Sequence, residues 1–274
     1  MRSVEKMKPY QRKVLQMKSI KAGTIGLALA LLLVSSALAL SGDEVLQKVQ
    51  EAMRPGQDMT ATERMTITAP DGSAEVLEVV IYQKGGKMLM RITKPEEFAG
   101  IAVLVLPREQ GGEETWLYLP AFRDVKQILA QGLSEGFVGS DFAYEDLTLS
   151  YTDKYDVTEM TEEGGQYILS LTPKPDAGLS YSGARMWADK GTFLPTRAEF
   201  SDRQGQLFKV MTLSEVQAFP STSDPQRSYP TPTRIEMDNV KTGSKTVIEL
   251  LKVEYDTGLS DDFFTVRNLK RGSA

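Results

Sequence analysis

Hydrophobic residues change their spacing twice along this chain. Residues 25–34 read Ile-Gly-Leu-Ala-Leu-Ala-Leu-Leu-Leu-Val, an apolar run that stays free of charge as far as Ser41. Basic residues precede it, and Ala37-Leu38-Ala39 follow it. A positive flank, a short apolar stretch and a small-x-small site form the pattern of a secretory signal peptide. The chain is therefore expected to divide into a signal peptide over residues 1–39, cut after Ala39, and a single domain over residues 40–274. An uncleaved anchor is the alternative, although the run falls short of the roughly 20 residues that comfortably span a bilayer. The leader before it is long, and Met17-Lys18-Ser19-Ile20-Lys21 offers a second start beside Met1.

From Asp43 to Met53 the apolar spacing becomes three and four. Val45, Leu46, Val49 and Met53 make one stripe of a helix that Ser41 or Asp43 caps and Arg54-Pro55-Gly56 ends. Beyond that point the period falls to two. Met65–Thr68 and Glu75–Tyr82 flank the Asp71-Gly72 turn, and Gly85-Gly86 leads into Lys87–Ile92. Ile101–Leu106 is apolar on both faces, as expected of a strand covered on both sides. Glu114–Leu119 follows, and later hairpins turn at Gly164-Gly165, Lys190-Gly191, Gln204-Gly205 and Thr242-Gly243. The proline-rich stretch Phe219–Pro232 reads as a loop. Ten or more short strands with glycine-marked turns predict one curled antiparallel sheet or barrel. Alternation puts Met88, Met90, Val103, Val105, Trp116, Tyr118, Met186, Phe200, Phe208, Val210, Val247 and Leu251 on its inner face. That set is either an ordinary core or the lining of a ligand cavity.

Composition removes most chemistry. The 274 residues include 32 basic and 37 acidic ones, for a net charge of −5, and the basic excess sits in the leader. An acidic body repels phosphate backbones, so no nucleic-acid partner is expected. Cysteine and histidine are both absent. Disulfides, a cysteine nucleophile, a lipid-modified cysteine, histidine–metal sites and serine–histidine hydrolysis are thereby excluded. Gly136-Phe137-Val138-Gly139-Ser140-Asp141 does not have the spacing of a nucleophile elbow. The glycine pairs open no helix within a βαβ unit, so they cradle no phosphate. Asp141, Glu145 and Asp146 read as a solvated loop with a turn cap, and Arg123, Asp124 and Lys126 as a wet edge strand. No enzyme, metal or cofactor is expected.

Two stretches carry a family resemblance. Trp116-Leu117-Tyr118-Leu119-Pro120-Ala121-Phe122-Arg123-Asp124-Val125-Lys126 is the first, and Phe137-Val138-Gly139-Ser140-Asp141-Phe142-Ala143-Tyr144-Glu145-Asp146-Leu147 the second. With Thr93-Lys94-Pro95 and the tail Phe264-Thr265-Val266-Arg267-Asn268-Leu269, they resemble the outer membrane lipoprotein-sorting protein family, the relatives of the periplasmic carrier LolA. The similarity runs from about Gly42 to Lys270. It implies a mainly β fold with some α, an unclosed (half) antiparallel β-barrel covered by helices, with an apolar cavity between them. It also implies a periplasmic carrier of a lipid or lipoprotein acyl chain, with an RND-type inner-membrane permease or an outer-membrane acceptor as partner. A non-enzymatic envelope scaffold serving such a permease is the alternative. In this reading Leu46, Val49 and Met53 form a lid or a core contact. Phe137, Phe142 and Tyr144 belong to a long glycine-rich segment, Ser134–Leu147, that forms either a functional rim or a structural plug.

Overall fold

The computed structural model describes residues 40–270 apart from 110, 148 and 149. The signal peptide expected over residues 1–39 lies outside the described residues. Helix α1, Gly42–Ala52, begins at Ser41. The Ser41 hydroxyl accepts from the Glu44 amide at 3.3 Å, and the Glu44 carboxylate accepts from the Ser41 amide at 2.7 Å. This reciprocal pair satisfies two otherwise orphaned N–H groups. Val45, Leu46 and Val49 are buried where α1 meets the strands Tyr155–Glu163 and Gln166–Pro173 and the short helix α2, Tyr151–Lys154. The approach is close: a Cβ on Gly42 would lie 2.5 Å from Val157 Cγ1.

Among the described residues thirteen strands form one antiparallel sheet. In chain order they are β1 Asp58–Thr68, β2 Ala74–Lys84, β3 Lys87–Lys94, β4 Ala102–Pro107, β5 Glu113–Leu119 and β6 Asp124–Ile128. The second half comprises β7 Tyr155–Glu163, β8 Gln166–Pro173, β9 Gly183–Asp189, β10 Pro195–Ser201, β11 Leu207–Pro220, β12 Ser228–Asn239 and β13 Lys245–Tyr255. Each half is a run of hairpins, as the turn signals predict. The halves join where β1 pairs with β13, so the spatial order runs from β6 down to β1, then from β13 down to β7. The edges β6 and β7 do not pair, so the sheet is open and the word barrel overstates it. Asp124 and Lys126 lie on the edge strand β6, where charge discourages pairing with another chain.

The expected loop at Phe219–Pro232 is shorter than its prolines suggest. Strand β11 extends to Pro220 and β12 starts at Ser228, with Pro230 opposite Ala218 and Pro232 opposite Val216. Strand β12 pairs with β13 only over Arg234–Asp238. The prolines therefore sit where one side of the strand has no ladder to satisfy, which is where a missing N–H costs nothing.

Both faces of the first half are covered, by different material. On one face Leu77, Val79, Met90, Ile92, Val103 and Val105 pack with Phe137, Phe142 and Tyr144 of the segment between β6 and β7. On the other, Leu89, Ala102 and Leu104 pack with Phe264 and Leu269 of the C-terminal tail, which includes the short helix α3, Val266–Leu269. This explains why Ile101–Leu106 is apolar throughout.

Candidate functional site

The face that holds Phe142 also holds a cavity of about 180 Å³ that opens to solvent. Strand β1 contributes Met59, Ala61, Glu63 and Met65, every second residue, as the pleat requires. Ile81 and Gln83 of β2 and Met88 and Met90 of β3 continue the wall. The far wall comes from Met211 and Leu213 of β11, Ile235 of β12 and Ile248, Leu250, Val253 and Tyr255 of β13. Met53 at the end of α1, with Phe142, Leu147 and Tyr151, closes one side. Methionine is prominent, and its flexible thioether adapts to irregular apolar shapes. A second hollow, near Glu113, Ser150 and Lys154, is polar by comparison and offers an apolar guest little.

Among the described residues no lysine or arginine belongs to the lining of the first, apolar cavity. Its acidic groups differ in their surroundings. Asp146 accepts from the Tyr181 hydroxyl at 2.9 Å, the Ala143 amide at 2.8 Å and the Lys209 ammonium at 3.3 Å. Burial, then the charges of Asp146 and Glu145, push the Tyr181 phenol far above its ordinary range. Glu145 is raised by burial, against hydrogen bonds from Ser180 that lower it. Glu63 has no hydrogen bond or ion pair with any described residue, and burial pushes its carboxyl up to about 7. Burial also raises Tyr151 to about 12, while the Tyr255 hydroxyl lies 2.8 Å from Thr231 Oγ1.

Of the residues expected from alternation, Met88 and Met90 line the cavity, and of those expected at a lid or rim, Met53 and Phe142 do. Val103, Val105 and Phe200 pack on the same face without reaching it, Met186 is buried in β9, and Phe137 and Tyr144 are buried in the core instead of at a rim. Leu46 and Val49 are buried beneath α1. The others need correction. Trp116 pairs with Leu104 and Tyr118 with Ala102, so both rings face the C-terminal tail on the opposite side. In β11 it is Met211 that lines the cavity, so its neighbour Val210 points to the other face. Phe208 stands beside Tyr181, under the ammonium groups of Lys209 and Lys241, and does not line the cavity.

Strand β13 explains two more errors. Ile248 and Leu250 face the cavity, which puts Val247 on the opposite face. The register then slips between Thr62 and Glu63, leaving Leu251 extra on the β13 side and 45% exposed. Beyond this bulge the inward positions become Val253 and Tyr255. The acidic cluster also differs from the solvated loop expected. Asp141 accepts from the Ser244 and Thr246 hydroxyls at 2.5 and 2.8 Å, and Glu145 and Asp146 are tied to Ser180, Tyr181 and Lys209. The β1 wall, absent from the expected lining, has its own signal in the sequence: Met59, Ala61, Met65 and Ile67 alternate with Thr60, Thr62, Arg64, Thr66 and Thr68.

Among the described residues no cluster of three or more acidic side chains could hold a metal ion, and no helix is long and apolar enough to cross a membrane. A family model described only as an uncharacterized protein matches residues 84–271. No curated protein matches the sequence. Among solved structures, a Vibrio parahaemolyticus domain named for outer membrane lipoprotein sorting is 28% identical, with a TM-score of 0.72 and coverage of 84% of this chain and 98% of that one. A DUF1329 family protein from Desulfovibrio piger is 26% identical, with a TM-score of 0.73 and coverage of 83% and 97%. A LolA superfamily protein from Nitrosomonas europaea shares the fold at 22% identity, with a TM-score of 0.66 and coverage of 83% and 98%.

Proposed function

The chain belongs to this family of uncharacterized proteins, within the LolA and outer-membrane lipoprotein-sorting superfamily, and on that premise we propose that it is a periplasmic, non-enzymatic carrier of a lipid or acyl chain. The observation that supports this reading is the cavity between the sheet and its covering segments, walled by methionines and aliphatic side chains with no cation among them. Burying an acyl chain gains about 0.8 kcal/mol per CH₂, so a 16-carbon chain left in water costs on the order of 12 kcal/mol. Shielding it needs no reaction, only an apolar hollow that can open. The signal peptide at residues 1–39 would deliver the protein to the compartment between donor and acceptor membranes. Phe142, Met53 and the β1–β3 methionines are the side chains that would touch the guest.

Native mass spectrometry of protein purified from its own cell envelope tests the proposal. A co-purifying lipid near one-to-one stoichiometry is the expected result. Lipid-free protein that also fails to bind the hydrocarbon dye diphenylhexatriene would favour an envelope scaffold serving an RND-type permease or an outer-membrane acceptor.

A further inference from the structure

Glu63 lines the cavity from β1, on the same face as Ala61 and Met65. Its cross-strand neighbours are Val79 on β2 and Leu250 on β13. The other carboxylate of the lining, Asp146, is already held by Lys209, Tyr181 and the Ala143 amide. Glu63 has no such support among the described residues. Glu63 is partly buried, and a carboxylate that gives up part of its hydration without a partner in return pays for it. A guest that donates a hydrogen bond here would remove that cost.

We propose that the cargo is a long-chain amphiphile bearing a hydrogen-bond donor, an ammonium or a hydroxyl, which Glu63 receives inside the cavity, and that long-chain carboxylates are rejected. This rests on the carrier reading and specifies its cargo. Two features make the site selective. A carboxylate guest would bring a second negative charge beside Glu63 in a poorly solvated space, and no lysine or arginine in the lining offsets it. An ammonium or hydroxyl donates to the carboxyl oxygens while its chain lies along Met65, Met90 and Leu250. Burial alone pushes the Glu63 carboxyl up to about 7, so its charged form is disfavoured until a donor or a cation meets it.

Competition for bound diphenylhexatriene tests this at pH 8, with dodecylamine, 1-dodecanol and dodecanoate as guests of equal chain length. The wild-type protein should prefer dodecylamine to dodecanoate by at least ten-fold. Glu63→Leu should narrow that preference to less than three-fold. Glu63→Gln, nearly isosteric and still a hydrogen-bond acceptor, should keep dodecanol binding while weakening dodecylamine about ten-fold. Thermal melting of each variant checks that it folds, and the isosteric variant decides the matter if the leucine variant does not. Dodecanoate competing as well as dodecylamine against the wild type, or an unchanged preference in a folded variant, overturns the assignment. Absence of dye binding by the wild type removes the carrier reading and this inference together. Normal dye binding without preference removes this inference alone.

Discussion

The carboxyl of Glu63 links the cavity to stability as well as to selectivity. In the unfolded chain it titrates near 4.5, and in the fold burial pushes it up to about 7. Below pH 4.5 it is protonated in both states and costs nothing. Between these values the unfolded chain releases the proton while the folded chain keeps it, so stability falls as pH rises. Above 7 the full cost has accrued, about 3 kcal/mol at most before solvent screening. Urea unfolding of the wild type and Glu63→Gln across pH 4.5 to 7.5 should therefore show the variant gaining relative stability with rising pH. A constant difference would mean that the carboxyl is solvated like a surface glutamate. Asp58 shows the opposite economy: its carboxylate accepts from the amides of Thr257, Gly258 and Leu259, all within 2.9 Å, and so anchors the start of the C-terminal tail.

Among the elements, the segment from Ser134 to Leu147 has no long regular structure, yet it is packed like core. Phe137 is fully buried and meets Tyr144 edge-on at 6.1 Å between ring centres. The chain folds back on itself where the Phe137 amide donates to the Phe142 carbonyl at 2.8 Å. Gly136 permits this return, because a Cβ there would lie 2.6 Å from the Ser140 carbonyl oxygen. The two phenylalanines should behave differently. Phe137→Ala should cost about 3–5 kcal/mol, the usual toll of a large cavity in a packed core. Phe142 lines the cavity, so Phe142→Ala should cost less stability and change diphenylhexatriene affinity more. Denaturant unfolding together with dye titration separates the two. Equal stability losses with unchanged dye affinity would make the whole segment a structural plug.

As a whole molecule the protein covers both faces of the first half of its open sheet from distant parts of the chain. The segment before β7 fills one face, and the tail after β13 covers the outer side of β3, β4 and β5. Phe264 and Leu269 are buried there, and the Arg91 guanidinium donates to the Leu269 carbonyl at 3.0 Å. Removing residues 260–274 should uncover Leu89, Leu104 and Trp116 and cost on the order of 5 kcal/mol or more. For a domain of this size that lowers the melting temperature by roughly 10 °C or more, with a rise in binding of dyes that report exposed apolar surface. A truncated protein that melts like the intact one would mean that the tail contributes no cover.

What could be read directly from the residue order is local. Helix α1 announces itself because its stripe and its cap lie within 13 residues, from Ser41 to Met53, and the hairpins because each turn sits between the strands it joins. The open antiparallel architecture followed from those turns together with the family resemblance. Which face each side chain occupies was a different matter. Trp116 and Tyr118 alternate correctly, but both faces of β4 and β5 are apolar, so only the docked tail decides which side is which. In β13 a single bulge beside Glu63 reverses the alternation, and that slip is set by pairing with β1, nearly 190 residues earlier in the chain. The acidic residues of the covering segment looked solvated because their partners, Thr246 for Asp141 and Lys209 for Asp146, lie 105 and 63 residues away. Period and turn chemistry act between neighbours and are written in the sequence. Register, burial and the pairing of charges depend on chain segments that only the folded sheet brings together.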